Sequence, residues 1–180
     1  MVGTETIAPA RAAPAMTAEE LCRTYAAEVC RLAAMMSAGR EDAEDLAQEA
    51  LMRAVRSLRH YDPSRGPVKR WLWRIVVNAA RDAAGRRRRM ADLVVRLGVL
   101  AVSEADDVED TVLRRLRDTD LHAALRALPL RDQTLLALRY GVGLDTSEVA
   151  DAVGLNTETA SRAVRRALAR LRARLKETNR

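Results

Sequence analysis

The stretch Asp145-Thr-Ser-Glu-Val-Ala-Asp-Ala-Val-Gly-Leu-Asn-Thr-Glu-Thr-Ala-Ser-Arg-Ala-Val-Arg-Arg166 reads as two short helices and the turn between them. Asp145 or Thr146 can cap the first helix, and Glu148 stands where a carboxylate reaches back to the cap. Gly154 offers the positive φ of a tight turn, and Asn156 can cap the second helix. Val149, Val153, Leu155, Ala160 and Ala163 fall where the two helices face each other, and Ala150 is small where they cross. On the second helix Ala160, Val164, Ala167 and Leu171 gather on one side at helical spacing. Glu158, Arg162, Arg165 and Arg166 are left for the outward face, with Ser161 at its edge. A helix-turn-helix lays its second helix in the major groove, where N-terminal residues reach base edges and arginines meet guanine or phosphate. The plainer alternative is a helical hairpin with a solvated basic face.

The rest of the chain keeps the same helical character. Of its 180 residues 48% are hydrophobic and 31% charged, only 3% are aromatic and none is Phe. Ala, Leu, Arg and Glu, which favour helix over strand, dominate it, so the expected class is all-α. A net charge of +6 fits a polyanion, nucleic acid before membrane. The apolar run from Leu93 to Val102 is broken by Arg96 and too short for a bilayer, so no membrane insertion is expected. Residues Met1 to Ala15 lack an apolar signal core and read as a loose tail, which points to the cytoplasm. Cys22 and Cys30 lie apart from His60 and His122 and are not at metal-ligand spacing. With no Gly-rich phosphate loop and no nucleophile–base pair, neither metal, cofactor nor catalysis is expected.

Thr17-Ala-Glu-Glu20 is a capping box opening a first helix through Leu21, Tyr25, Val29, Leu32 and Met36, which Gly39 should end. A second helix is predicted from Glu41 to Leu58, then a Pro- and Gly-rich loop from His60 to Pro67, then a third helix from Val68 to Arg89. Three such helices can bury one small core. The predicted organisation is a tail over 1–16, a helical domain over 17–90, a flexible linker over 91–118 and a second helical domain over 119–180. In that second domain the helical pattern covers Leu121 to Leu128, Arg131 to Tyr140, Thr146 to Val153 and Thr157 to Lys176.

Two further faces carry charge. Glu41, Asp42, Glu44, Asp45 and Glu49 form an acidic edge on the second helix. The helix dipole accounts for the first two or three of these, whereas Asp45, Gln48 and Glu49 continue the edge toward a basic partner. The third helix carries a stripe of Arg70, Arg74, Asn78 and Arg81, flanked by Trp71 and Trp73 and followed by the Arg86–Arg89 run. Arginines, an amide and an aromatic suit unpaired nucleic acid. Core packing is the plainer reading for Trp71, and for Trp73 packing and stacking both stand.

These segments resemble a known family. Asp42-Ala-Glu-Asp-Leu-Ala-Gln-Glu49, Arg53-Ala-Val-Arg-Ser-Leu58, Tyr61-Asp-Pro63 and Trp71-Leu-Trp-Arg-Ile-Val-Val-Asn78 are similar to region two of extracytoplasmic-function (ECF) sigma factors. Leu125-Arg-Ala-Leu-Pro-Leu-Arg-Asp-Gln133, Leu138-Arg-Tyr140, Glu148-Val-Ala150, Gly154 and Arg166-Ala-Leu-Ala-Arg-Leu-Arg172 resemble region four. The resemblance implies a three-helix region two and a helix-turn-helix region four joined by a linker that threads through RNA polymerase. It implies that Asp42, Asp45, Leu46, Gln48 and Glu49 meet the clamp helices of the largest polymerase subunit, and that the flap of the second-largest subunit is a further contact. Around His60, Tyr61 and Asn78 it places a flipped base of the minus-ten strand, with Arg70, Trp73, Arg74 and Arg81 nearby. Thr157, Glu158, Ser161, Arg162, Arg165 and Arg166 would read the minus-thirty-five element, and an anti-sigma factor would be a further partner. Leu51 and Val68 stand where the family commonly has aromatics, and Ser161-Arg-Ala163 where it commonly has Lys-Ser-Arg. A helix-turn-helix regulator acting without polymerase, and a helical protein-binding adaptor, are the rival functions.

Overall fold

The computed structural model describes residues 16–96 and 119–178, so the expected tail up to residue 15 and linker residues 97–118 lie outside the described residues. The first unit holds three helices. Helix α1 (Ala18–Met36) opens at Thr17, whose hydroxyl accepts from the Glu20 amide while the Glu20 carboxylate accepts from the Thr17 amide. Two otherwise unbonded N–H groups are satisfied in one exchange. The helix closes at Ser37 in extended geometry, and Gly39 is the first-residue cap of α2 (Arg40–Ser57) rather than the end of α1. Ala47, Ala50 and Ala54, all buried on α2, leave room for close approach to α1.

Between α2 and α3 (Val68–Arg96) the chain makes two single turns of tighter helix, Leu58–His60 and Pro63–Arg65. Asp62 fixes the second, accepting from the Ser64 amide at 2.9 Å and hydroxyl at 2.7 Å. Gly66 follows at φ +128°, a conformation that L side chains rarely adopt. Helix α3 buries Leu72, Trp73, Val76, Val77, Ala79 and Ala80. It runs past the expected end at Arg89 to Arg96, because Met90-Ala-Asp-Leu-Val-Val-Arg96 contains no Gly or Pro and several good helix formers.

The second unit comprises α4 (Thr119–Arg126), α5 (Leu130–Leu136), α6 (Thr146–Val153) and α7 (Thr157–Thr178). Gln133 ties α5 to the end of α4, its side-chain amide donating to the carbonyls of Arg126 at 3.0 Å and Leu128 at 2.7 Å. Asp132, buried, pairs with Arg170 of α7. Helix α5 was expected to reach Tyr140. It instead widens into a π-type turn over Ala137–Val142 that ends on Gly143 at φ +84°, with the Leu144 amide donating back to the Leu138 carbonyl at 3.0 Å. Ala124, Leu125, Leu128, Leu136, Ala167 and Leu171 form this unit's own core.

The two units pack against each other. Leu135, Leu138, Leu144, Val149 and Ala152 join one continuous buried cluster with Leu21, Leu32, Leu72 and Val76 of the first unit. Polar contacts rim the seam. Arg31 donates to the Gly141 carbonyl at 3.3 Å, and the His122 ring lies 3.1 Å from the Ala34 carbonyl. Lys69 and Arg70 of α3 pair with Glu148 and Asp151 of α6 at 2.8 and 3.1 Å.

Candidate polymerase and nucleic-acid interfaces

The helix-turn-helix is built as its sequence implies. Asp145 caps α6 by accepting from the Glu148 amide at 2.8 Å, and the Glu148 carboxylate returns the bond to the Asp145 amide at 2.8 Å. The Asp145 carboxyl is held below its ordinary value, first by the Glu148 amide and then by the Ser147 hydroxyl. Gly154 turns the chain at φ +75°, and Asn156 accepts from the Thr159 amide at 2.8 Å to start α7. Val149, Ala150, Ala160, Ala163, Val164, Ala167 and Leu171 are buried, and Val153 and Leu155 half-buried. That packing fixes the outward face. Thr157, Glu158, Arg162, Arg165 and Arg166 are exposed and Ser161 is half-buried. A shallow groove runs between Thr159, Arg162, Arg165, Arg166 and Ala169. Arg162 pairs with Glu158 one turn earlier.

On α3 the expected stripe is present: Arg70, Arg74, Asn78 and Arg81 are all exposed, and Arg81 reaches the Asn78 side-chain oxygen at 3.5 Å. His60, in the turn before α3, is exposed, with the Arg59 guanidinium donating to its ring at 3.1 Å. Tyr61 is half-buried, its ring centroid 5.3 Å from that of Trp71 and its hydroxyl donating to the Gly66 carbonyl at 2.9 Å. It therefore holds the loop in shape. Trp73 does not join the nucleic-acid face. It is 1% exposed, because Trp73, Val76, Val77 and Ala80 form a single i, i+3, i+4, i+7 stripe into the core. The choice left open by sequence falls to packing.

The acidic edge of α2 divides. Leu46, expected at the polymerase contact, is 3% exposed, since it heads the buried stripe through Ala47, Ala50 and Ala54. Asp42 pairs with Arg87 at 3.3 Å, and Glu49 with Arg53 at 2.5 Å and also with Arg86. Burial alone would raise the Glu49 pKa, but the bonds from Arg86 and Arg53 outweigh it and hold the carboxyl below its ordinary value. Arg53 in turn reaches Asp82 at 2.6 Å. Part of the acidic edge thus pins the arginine run of α3 to α2, an in-chain partner that helical patterning within α2 could not reveal. Asp45 and Gln48 stay exposed.

Sequence reasoning missed three residues. Met52, 44% exposed, extends the Asp45–Gln48 face by one further turn, a spacing visible in the sequence. Lys69 and Asp151 were also passed over, and Glu148 was read as a cap without its second bond, to Lys69. Their signal was local: Lys69 and Arg70 lie in the first turn of α3, where the helix dipole disfavours cations. Among the described residues no group of three or more His, Cys, Asp or Glu could hold a metal ion, and no helix is long and apolar enough to cross a membrane.

Comparison with known proteins joins these faces to a family. Residues 21–90 match the model of Sigma-70 region 2, and residues 124–173 that of Sigma-70, region 4. The chain is 32% identical to the ECF RNA polymerase sigma factor SigE of Mycolicibacterium smegmatis over 86% of its own length, and spans 60% of that relative. With RNA polymerase sigma factor SigV of Bacillus subtilis it shares 31% identity, covering 81% of this chain and 82% of SigV. The fold is that of CnrH, solved with the cytosolic domain of CnrY (TM-score 0.64, 24% identity, 89% of this chain and 88% of that one). It is equally that of the sigma factor RpoE solved with the anti-sigma factor NepR from Bartonella quintana (TM-score 0.69, 23% identity, 88% and 96%). With both regions in order and SigV matched over most of its length, this chain belongs to the sigma-70 family of RNA polymerase sigma factors, in its ECF group.

Proposed function

We propose that this chain binds core RNA polymerase and directs it to promoters, with no catalytic activity of its own. The observation that carries the reading is the placing of three unlike surfaces on three separate helices. An exposed Asp45–Gln48–Met52 face lies on α2, the Arg70–Arg74–Asn78–Arg81 stripe on α3, and the Arg162–Arg165–Arg166 face on α7. The α2 face, with Asp42 and Glu49 at its margin, meets the polymerase clamp helices. His60, Asn78 and the α3 arginines take the minus-ten strand, with Tyr61 shaping their loop. Thr157, Glu158, Ser161, Arg162, Arg165 and Arg166 meet the minus-thirty-five duplex, region four also docks on the flap, and residues 97–118 link the regions through the polymerase. A fold shared with a sigma factor solved with its anti-sigma factor makes a protein of that kind the regulator to seek, in the cytoplasm.

A repressor or activator working without polymerase leaves the α2 face unused, and an adaptor leaves the α7 face unused. Association with purified core polymerase, measured by co-elution, separates these. Stoichiometric association supports the sigma reading. Sequence-selective duplex binding without association would favour a regulator, and neither activity would favour an adaptor.

A further inference from the structure

Glu158 places a carboxylate on the face of α7 that otherwise carries Arg162, Arg165 and Arg166. A negative charge there repels the phosphates of every duplex, whatever its sequence. The helix dipole favours acid in a first turn, yet α7 already has its side-chain cap, the Asn156 oxygen that accepts from the Thr159 amide at 2.8 Å. The contrast with α6 is direct. Its first-turn Glu148 turns back to bond the Asp145 amide, whereas the Glu158 carboxylate reaches forward across the exposed surface to Arg162. That bond joins one carboxylate oxygen, Oε1, to one guanidinium nitrogen, Nη2. The second oxygen and the rest of the guanidinium fork stay outside it. With 77% of the Glu158 side chain and 58% of the Arg162 side chain exposed, the two can part at little cost. Arg162 also lines the shallow groove with Thr159, Arg165, Arg166 and Ala169. An acceptor and a donor thus stand one helical turn apart, on the part of α7 that a helix-turn-helix presents to base edges.

We propose that Glu158 is a specificity-determining residue, which accepts a hydrogen bond from the exocyclic amino group of a cytosine beside a guanine held by Arg162. This deepens, and rests on, the minus-thirty-five role proposed above. A carboxylate can only accept, and in the major groove cytosine meets it with the N4 donor alone. Guanine presents the O6 and N7 acceptors, thymine the O4 acceptor, and adenine sets N7 next to its amino group, so each turns a lone pair toward the carboxylate. Four residues of α-helix advance about 6 Å and base pairs are about 3.4 Å apart, so the two contacts fall about one or two base pairs from each other. On the matched sequence the ion pair parts, Arg162 taking guanine and Glu158 the cytosine amino group. On a mismatched one the carboxylate faces an acceptor and works against binding. Glu158 therefore contributes discrimination rather than affinity.

The test takes the full-length protein as wild type, Glu158→Ala and Glu158→Gln. Fluorescence anisotropy reads binding to a duplex that wild type selects from a random pool, and to every single-base change of it. Wild type should prefer cytosine at one position about tenfold over any other base. Glu158→Ala should lose that preference, keep the neighbouring guanine preference, and bind random-sequence duplex about two- to fivefold more tightly. Glu158→Gln should move the preference at the same position from cytosine to adenine, since an amide pairs with N6 and N7 together. A role confined to the helix dipole cannot produce that switch. A uniform change across all sequences in both variants, with the cytosine preference intact, overturns the proposal. Loss of the guanine preference alone in Glu158→Ala would make Glu158 a prop for Arg162, and overturns it equally. Wild type that binds every duplex alike marks a different failure, that of the minus-thirty-five role on which the proposal rests.

Discussion

Arg162 shares an exposed ion pair with Glu158, whereas Arg166 projects further round α7. An exposed pair of this kind is worth at most about 1 kcal/mol, so Arg162 can exchange Glu158 for a base edge readily. Replacing Arg162 by Ala should cost about 1–3 kcal/mol on the preferred duplex and relax preference at one or two base pairs. Arg166→Ala should instead weaken all sequences alike and reduce the salt slope by about one. Titrations of both variants against single-base changes at two salt concentrations check this, and an intact base preference in Arg162→Ala would shift the assignment to Ser161 or Glu158. Glu49 gives a second test at this scale. Its folded pKa lies below the ordinary value of 4.5, so its contribution is present above that value and is lost as pH falls through the folded one. Glu49→Gln should be less stable than wild type at pH 7, and the gap should close as the pH drops below about 4.5. Urea midpoints across pH measure the gap, and a constant gap would mean that the Arg53 and Arg86 bonds are not ionic in effect.

Among the elements, α6 and α7 were the most legible, because their signals are local. Caps, a turn glycine and apolar spacing are written within a few residues of where they act. Asn156→Ala should remove the α7 cap and cost about 1 kcal/mol of stability, read from the thermal midpoint. Helix α2 was legible in its buried face and only partly in its charged one. Asp42 and Glu49 are taken by arginines from α3, a tertiary fact that no pattern within α2 contains. Trp73 was ambiguous because an aromatic beside arginines fits stacking and packing equally until α3 is rotated into place. The division of the acidic edge selects the variant. Asp45→Arg with Gln48→Arg should abolish core polymerase binding and leave helicity at wild type, since neither side chain is buried. Glu49→Arg would also unpin α3 and blur the result. At the minus-ten face, His60→Ala in the turn before α3, combined with Asn78→Ala on α3, should weaken minus-ten single-strand binding by about 1–3 kcal/mol while sparing polymerase association. Equal loss of both would make these residues structural.

At the scale of the whole molecule, two helical units and their order could be read from the sequence, while their mutual packing could not. The buried cluster that runs from Leu32 and Leu72 to Leu138 and Val149 brings together residues about a hundred positions apart. Each residue looked like the core of its own unit, and hydrophobic spacing does not say which core it joins. The end of α3 at Arg96 was equally hidden, since a change from basic to acidic composition marks a linker less reliably than Gly or Pro does. One activity combines every face of the molecule. Core polymerase supplied with the full-length protein should initiate transcription from a promoter library, with start sites clustered downstream of a shared pair of sequence elements. Asp45→Arg with Gln48→Arg should abolish those transcripts. Library transcription identical with and without the protein, despite its stable association with core polymerase, would contradict the account.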